Sequence, residues 1–227
     1  MTRTPRVIAI DGPAGSGKST VARAVAQATG LLVLDTGAMY RAVTLAVLDR
    51  GVDPADAAGA TVVSREASIA VGDDGVDTVT LDGRDVTAEI RGPAVTATVS
   101  AVSAHPGVRE VLVGRQRAWV EQHGGGVVEG RDIGTVVFPD AAVKVFLTAS
   151  DEERARRRQR DEAAAARPAD VGDVRDALAR RDALDSGRVV SPLHPAVDAL
   201  VVDTTGRTVE DVAAEIVARF EAAGVGG

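Results

Sequence analysis

Apolar positions along the chain follow two alternating rhythms. Unbroken runs at Val7-Ile-Ala-Ile10, Leu31-Leu-Val-Leu34, Val127-Val128, Val143-Lys-Val-Phe-Leu147 and Leu200-Val-Val-Asp203 read as short buried strands. Between them lie stretches with helical spacing: Val21, Ala22, Val25 and Ala28; then Tyr40, Val43, Thr44, Val47 and Leu48. Two further helical stretches run from Val95 to Ser103 and from Val108 to Gln122, broken near His105-Pro106. A last helix opens at Thr208-Val-Glu-Asp211, which resembles a capping box, and carries Val209, Val212, Ile216, Val217 and Phe220 on one stripe. Strands that alternate with helices predict an α/β fold with a five-stranded parallel sheet covered by helices on both faces.

From Asp53 to Gly92 the rhythm changes. Ser68-Ile-Ala-Val71 and Val76-Asp-Thr-Val-Thr-Leu81 alternate apolar with polar, are joined by Asp73-Asp-Gly75, and are followed by Asp82-Gly83. Asp-Gly between alternating runs is a hairpin signal. The expected organisation is one α/β body over residues 1–52 and 93–227, with a small antiparallel insertion over 53–92. Pattern alone leaves open whether that hairpin serves a ligand or only decorates the surface.

The junction of the first strand and first helix carries candidate chemistry. Gly12-Pro13-Ala14-Gly15-Ser16-Gly17-Lys18-Ser19 is a complete G-x-x-x-x-G-K-[ST] phosphate-binding loop. Its glycines let backbone N–H groups turn toward phosphate oxygens, and the helix behind it adds its positive end. Lys18 is expected to reach the β- and γ-phosphates of a nucleotide, and the Ser19 hydroxyl to hold Mg²⁺. Thr20 completes the phosphate-binding stretch. In parallel sheets ligands sit beyond the carboxyl ends of the strands, so Asp35, Thr36, Tyr40 and Arg41 should begin at the same edge as the loop.

Composition narrows the field. At 227 residues with no Cys, the chain suits one α/β domain with an insertion and excludes disulfides and thiolate chemistry. A net charge of -7 argues against a general nucleic-acid binder, which needs a broad basic face. No apolar run reaches membrane-spanning length and no signal peptide is recognisable, so a soluble cytoplasmic protein is expected. Lysine occurs only at positions 18 and 144. The remaining basic residues are arginines, and Lys18 fits a place where a compact ammonium is required.

The second substrate must be argued from those arginines. Arg41, Arg109, Arg131, Arg181 and Arg188 sit in or beside predicted edge segments or turns, and several share short motifs with acids: Glu129-Gly-Arg131-Asp132 and Arg181-Asp182-x-x-Asp185-x-x-Arg188. Planar guanidinium forks grip phosphate or carboxylate bidentately. The densest basic run, Asp151 to Glu162, places Arg154, Arg157 and Arg158 on one helical face. It is either a salt-bridged solvent helix or a lid, about 151–167, laying guanidinium groups over a transferring phosphoryl. His105, His123 and His194 form no metal spacing. A phosphate acceptor is already ionised at neutral pH and needs charge neutralisation rather than a base, so an Arg-rich site with one Lys and Mg²⁺ suits a nucleotide acceptor better than an alcohol.

Taken together, these stretches resemble the bacterial cytidylate kinases, a family of nucleoside monophosphate kinases. The resemblance covers nearly the whole chain. It rests on Ile10 through Ser19, on Asp35-Thr-Gly-Ala-Met-Tyr-Arg41, and on Val108-Arg109 with Arg115-Gln-Arg117. It rests also on Glu129 through Asp140 and on Arg181-Asp-Ala-Leu-Asp185 through Arg188. It implies a P-loop kinase core with an NMP-binding insertion and a lid, acting as a monomer on ATP with CMP or dCMP. Carried over by residue, Arg41, Arg131 and Arg181 would hold the CMP phosphate and its transferring partner, and Asp185 the sugar hydroxyls. Thr36, Ser100, Arg109, Asp132 and Arg188 would surround cytosine, with Tyr40 beside them. Lys18, Arg131, Arg181, Arg157 and Arg158 would serve the transfer itself, and Glu129 would hold a magnesium-bound water. Thr36 stands where serine is common in the family, which keeps the hydroxyl and adds a methyl.

Rival readings separate on specific residues. A GTPase-like switch needs an Asn-Lys-x-Asp motif, and this chain contains no Asn. A small-molecule kinase acting on an alcohol such as shikimate or gluconate would want an acid against the hydroxyl. A non-catalytic nucleotide-binding module would differ only in lacking turnover.

Overall fold

The computed structural model describes residues 6–71, 78–164, 170–188 and 190–224. In chain order the strands are β1 (Val7–Asp11), β2 (Val33–Asp35), β3 (Ile69–Val71), β4 (Val79–Leu81), β5 (Arg84–Asp85), β6 (Gly126–Gly130), β7 (Val143–Thr148) and β8 (Leu200–Asp203). The helices are α1 (Lys18–Thr29), α2 (Thr36–Asp49), α3 (Ala57–Glu66), α4 (Pro93–Ala104), α5 (Pro106–His123), α6 (Asp151–Ala164), α7 (Val171–Ser186) and α8 (Val209–Ala222). A 3₁₀ turn at Glu89–Arg91 and a π-turn at Ile133–Val137 complete the elements.

Five strands form the expected parallel sheet in the order β2-β6-β1-β7-β8, with helices flanking it. β1 pairs in parallel with β7, Ile8 opposite Val143 and Asp11 opposite Phe146, and β7 pairs with β8 from Val145–Leu200 to Thr148–Asp203. β1 and β6 are buried along their whole length, which explains their unbroken apolar runs. A second sheet, β3-β4-β5, is antiparallel, with Ile69 opposite Leu81 and Val71 opposite Val79. The hairpin turn expected at Asp73–Gly75 and the lid end at 165–167 lie outside the described residues.

The chain divides into two compact units. In one, the segment through Gly30 joins the segment from Glu129 onward; the other is Leu31–Val128. In the first unit α1 packs on α8 through Val21, Ala22, Val25 and Ala26 on one side and Val212, Ala213, Ile216 and Phe220 on the other. Thr208 caps α8, its hydroxyl accepting from Asp211 N, as the sequence indicates. α6 packs on α7 through Ala155, Val174 and Leu178. In the second unit α2 packs on α4, and α3 on α5.

Two helices go beyond the sequence reading. α3 lies in the stretch read as short alternating segments; Asp56 caps it, accepting from Ala58 N and Gly59 N. Its β-branched Thr61-Val62-Val63 carry a strand-like signal that helix capping and packing on α5 override. α7 begins at a cap of the same kind, Asp170, and lifts the Arg181 to Asp185 motif onto a helical face rather than a turn. Among the described residues no helix is long and apolar enough to cross a membrane.

Candidate functional site

The first unit carries the phosphate loop. β1 ends at Asp11, the chain turns through Gly12 to Gly17, and α1 starts at Lys18. Gly12, Gly15 and Gly17 have φ of +146°, +77° and +90°, which only glycine adopts freely. At Gly12 space is also decisive, since a Cβ there would lie 2.2 Å from the Leu147 carbonyl oxygen. Lys18 Nζ donates to the Pro13 carbonyl at 2.8 Å. Burial lowers the Lys18 ammonium from 10.5 to about 7, assisted by the Arg131 charge and opposed by Glu129. Phosphate oxyanions brought to Lys18 would restore its charge.

The donor set fits a magnesium nucleotide. Ser16 is fully buried in the loop and its hydroxyl has no hydrogen-bond partner among the described residues, so it offers an uncommitted group to a ligand. Glu129 is buried at the end of β6. No three His, Cys, Asp or Glu side chains are grouped for a metal among the described residues. Mg²⁺ in phosphate loops does not need such a group, because it is held by a hydroxyl, phosphate oxygens and waters. Ser19, the first hydroxyl after Lys18, would hold it.

Arg131 ties the loop to α7. Its Nη1 donates to the Gly12 carbonyl at 2.8 Å and its Nε lies 3.2 Å from Asp185 Oδ2, with Asp182 Oδ1 at 4.0 Å from Nη1. Asp185 also faces Arg181, Nε at 4.0 Å, and Arg188, whose Nη2 donates to Oδ1. One buried carboxylate thus gathers three guanidinium groups, which holds cations of like sign close together beside the phosphate loop.

α6 reaches the same loop from another side. Arg154, buried, donates to the Ala14 carbonyl at 3.2 Å and pairs with Asp182 and Asp151. Arg157 bonds Glu153 through Nε and Thr204 through both Nη atoms, each at 2.9 Å. Thr204 is buried, and its hydroxyl lies 3.1 Å from the Ser16 carbonyl. Arg158 pairs with Glu162 one turn along.

The second unit brings together the other arginines. Asp35 caps α2, accepting from Ala38 N at 2.9 Å, and Thr36 and Tyr40 are buried on that helix. Arg41 donates to the Ile90 carbonyl at 3.1 Å and to Thr96 Oγ1 at 3.0 Å. Arg109 is buried on α5, its guanidinium carbon 5.5 Å from the Tyr40 ring centre, and it donates to the Ser103 carbonyl. Ser100 stands half-buried on α4, one turn before Ser103.

Two contributors escaped the sequence reading as site residues: Asp11 and Thr204. Asp11 had one signal, an acid closing an apolar run directly before a phosphate loop. Thr204 acts through bonds to Arg157 and the Ser16 carbonyl, distant segments that no local pattern announces.

A phosphate loop at the end of a parallel strand, one lysine within it and a cluster of guanidinium groups beside it define a P-loop kinase. The family model for cytidylate kinase matches residues 8–222, and the chain belongs to that family. A cytidylate kinase of Corynebacterium efficiens is 51% identical over 217 residues, 95% of this chain and 94% of that protein. One from Mycobacterium avium is 56% identical over 204 residues, 89% of each. A bifunctional pantoate ligase/cytidylate kinase of Synechococcus is 53% identical over 228 residues, 98% of this chain and 46% of that protein. Among solved structures, an uncharacterized protein from Eubacterium ventriosum aligns over 95% of this chain and 98% of its own with a TM-score of 0.55 and 12% identity, a likeness of fold.

Proposed function

We propose that this chain transfers the γ-phosphoryl group of ATP to CMP or dCMP, giving ADP and CDP or dCDP. The observation that carries the reading is Arg131, which sits 2.8 Å from the Gly12 carbonyl of the phosphate loop within a cluster that includes Arg181 and Arg188. Such a cluster suits a second phosphate presented to the first. A nucleophilic oxygen of the CMP phosphate attacks Pγ, the bond from Pγ to the β–γ bridging oxygen breaks, and ADP leaves carrying that electron pair. Lys18 neutralises the donor phosphates, and Arg131 and Arg181 neutralise charge on the transferring group and the acceptor. Ser19, with Glu129 through a water, would hold Mg²⁺, which when bound would neutralise negative charge on the donor phosphate oxygens.

Base choice is assigned to Asp132 and Arg188 of the first unit and to Arg109, Thr36 and Ser100 of the second. Cytosine presents an exocyclic amine, from which Asp132 can accept, and N3 and O2, to which Arg109 can donate. Uracil places a carbonyl where the amine was and leaves a buried carboxylate unpaired. Arg41 and Asp185 serve the phosphate and the sugar hydroxyls. Residues 53–92 form the NMP-binding insertion and α6 the lid in this reading. All the groups this reading requires lie on one chain, so it is read as a monomer, and use of ATP suits a cytoplasmic location.

The test is a coupled ADP-release assay with ATP and Mg²⁺ against CMP, dCMP, UMP, AMP, GMP, shikimate and gluconate. Turnover of CMP or dCMP well above the others is expected. Turnover of another acceptor with neither CMP nor dCMP used overturns the reading.

A further inference from the structure

Asp11 ends β1 with a buried carboxylate, and each of its oxygens is engaged by a backbone amide. Oδ1 accepts from Ile133 N and Oδ2 from Gly134 N, each at 2.8 Å. These are the first two amides of the π-turn Ile133–Val137, the donors that such a turn leaves without partners of its own. The far end of the turn closes on the residue before it, because the Asp132 carbonyl accepts from Val136 N at 2.9 Å and Val137 N at 3.2 Å. Asp132 is therefore held on both sides. The next residue after Asp11 completes the frame, since Gly12 O receives the Arg131 guanidinium. Two reciprocal ties join residues 11–12 to residues 131–134, one running from carboxylate to backbone and the other from guanidinium to backbone.

We propose that Asp11 is a positioning residue for the acceptor nucleotide: by clamping Ile133 N and Gly134 N it fixes where the Arg131-Asp132 pair stands relative to the start of the phosphate loop. This rests on the assignment of Arg131 to the acceptor phosphate and Asp132 to the base. Burying a carboxylate is costly, and burial pushes this one up to about 6. A residue needed only to end β1 would not require that cost. Two acceptor oxygens at one position are what the turn needs, and no neutral isostere supplies them. The asparagine amide has a single acceptor, so in Asp11→Asn one of the two backbone N–H groups meets an NH₂ donor instead.

The experiment measures steady-state kinetics for CMP, UMP and ATP in wild type and Asp11→Asn, together with amide hydrogen exchange on the wild-type protein. The variant should raise KM for CMP about tenfold and reduce the CMP-over-UMP preference about tenfold, while KM for ATP changes less than about threefold. A residue that merely supported the strand would weaken ATP and CMP use alike and leave the base preference untouched, and that result overturns the inference. Should the variant fail to fold, exchange on wild type still decides: Ile133 and Gly134 amides are expected among the slowly exchanging set, and rapid exchange at both overturns the clamp. Wild type that turns over neither CMP nor dCMP counts against the functional reading, whereas active wild type with an unselective Asp11→Asn loss counts against this inference alone.

Discussion

Arg131 Nε lies 3.2 Å from Asp185 Oδ2, and Asp185 is only 1% exposed. The same carboxylate faces Arg181 and receives Arg188, so one negative charge stands among three positive ones. Removing it should leave three guanidinium groups repelling one another where the acceptor phosphate is expected. The arginines remain partly open to water and can turn outward, which limits the loss. Asp185→Ala is therefore expected to destabilise the protein by about 2 kcal/mol in urea unfolding and to reduce kcat/KM for CMP by about 100-fold. Wild-type values for both would show that the three arginines need no buried anion.

Gly12 is constrained twice, by φ of +146° and by the Leu147 carbonyl oxygen 2.2 Å from any added Cβ. That oxygen belongs to backbone of a central strand and cannot move aside. Gly12→Ala should cost about 2–4 kcal/mol of stability and weaken ATP binding at least tenfold. Gly30 is the control. It has φ of +70° with nothing within 4 Å of an added Cβ, so Gly30→Ala should cost only about 1–2 kcal/mol and leave ATP binding unchanged. Equal ATP affinities for the two variants would refute the close approach at Gly12.

Stability should depend on pH through Asp11. Burial raises its carboxyl from 3.8 to about 6, with the charge of Asp132 adding to the rise and the Ile133 and Gly134 amides and Lys18 opposing it. The folded state then holds this proton more tightly than the unfolded chain does. Its favourable contribution is complete below about pH 4 and is lost as pH rises through about 6, on the order of 2–3 kcal/mol in all. The difference in unfolding free energy between wild type and Asp11→Asn should fall across that window and stay flat above about pH 7. A difference independent of pH would show that Asp11 titrates normally.

Much of this arrangement is legible in the sequence, and the part that is not has a physical reason. Strands buried along most of their length announce themselves as apolar runs, so β1, β6 and β7 could be placed within a residue or two, and the half-exposed edge strand β8 by its Leu-Val-Val run alone. A phosphate loop is legible because its backbone demands glycine at fixed spacing. α3 was hidden by Thr61-Val62-Val63, whose packing rather than propensity decides the helix. The role of Asp11 was hidden for a different reason. Its partners are backbone amides 122 and 123 positions away, and an amide has no sequence signature.

Asp132 tests the assignment of base choice. It is buried next to Arg131 and begins the π-turn, so its carboxylate has little freedom to adapt to a wrong base. Asp132→Ala should lower kcat/KM for CMP by about 10–100-fold and narrow the CMP-over-UMP ratio by a similar factor. An unchanged ratio would move base recognition to Arg109 and the residues of its unit.

Thr204 is the last junction, and its hydroxyl links α6 to the phosphate loop beside the direct bond from Arg154 to the Ala14 carbonyl. It accepts from Arg157 Nη1 at 2.9 Å and lies within donor distance of the Ser16 carbonyl, 3.1 Å, and the Thr148 carbonyl, 3.0 Å. Valine has the same shape without the hydroxyl, so Thr204→Val leaves an Arg157 N–H and a loop carbonyl unpaired in a buried place. About 1–2 kcal/mol of stability should be lost, and KM for ATP should rise about tenfold because Arg157, of its two bonds to Thr204, keeps only the one to the carbonyl and loses the one that continues through the hydroxyl to the loop. Thr204→Ser keeps the oxygen and should restore ATP use to within about threefold of wild type while recovering less of the stability, since the methyl contact is gone. The serine variant separates the two roles. If it binds ATP as poorly as the valine variant, packing by the methyl group rather than the hydroxyl junction sets the position of Arg157.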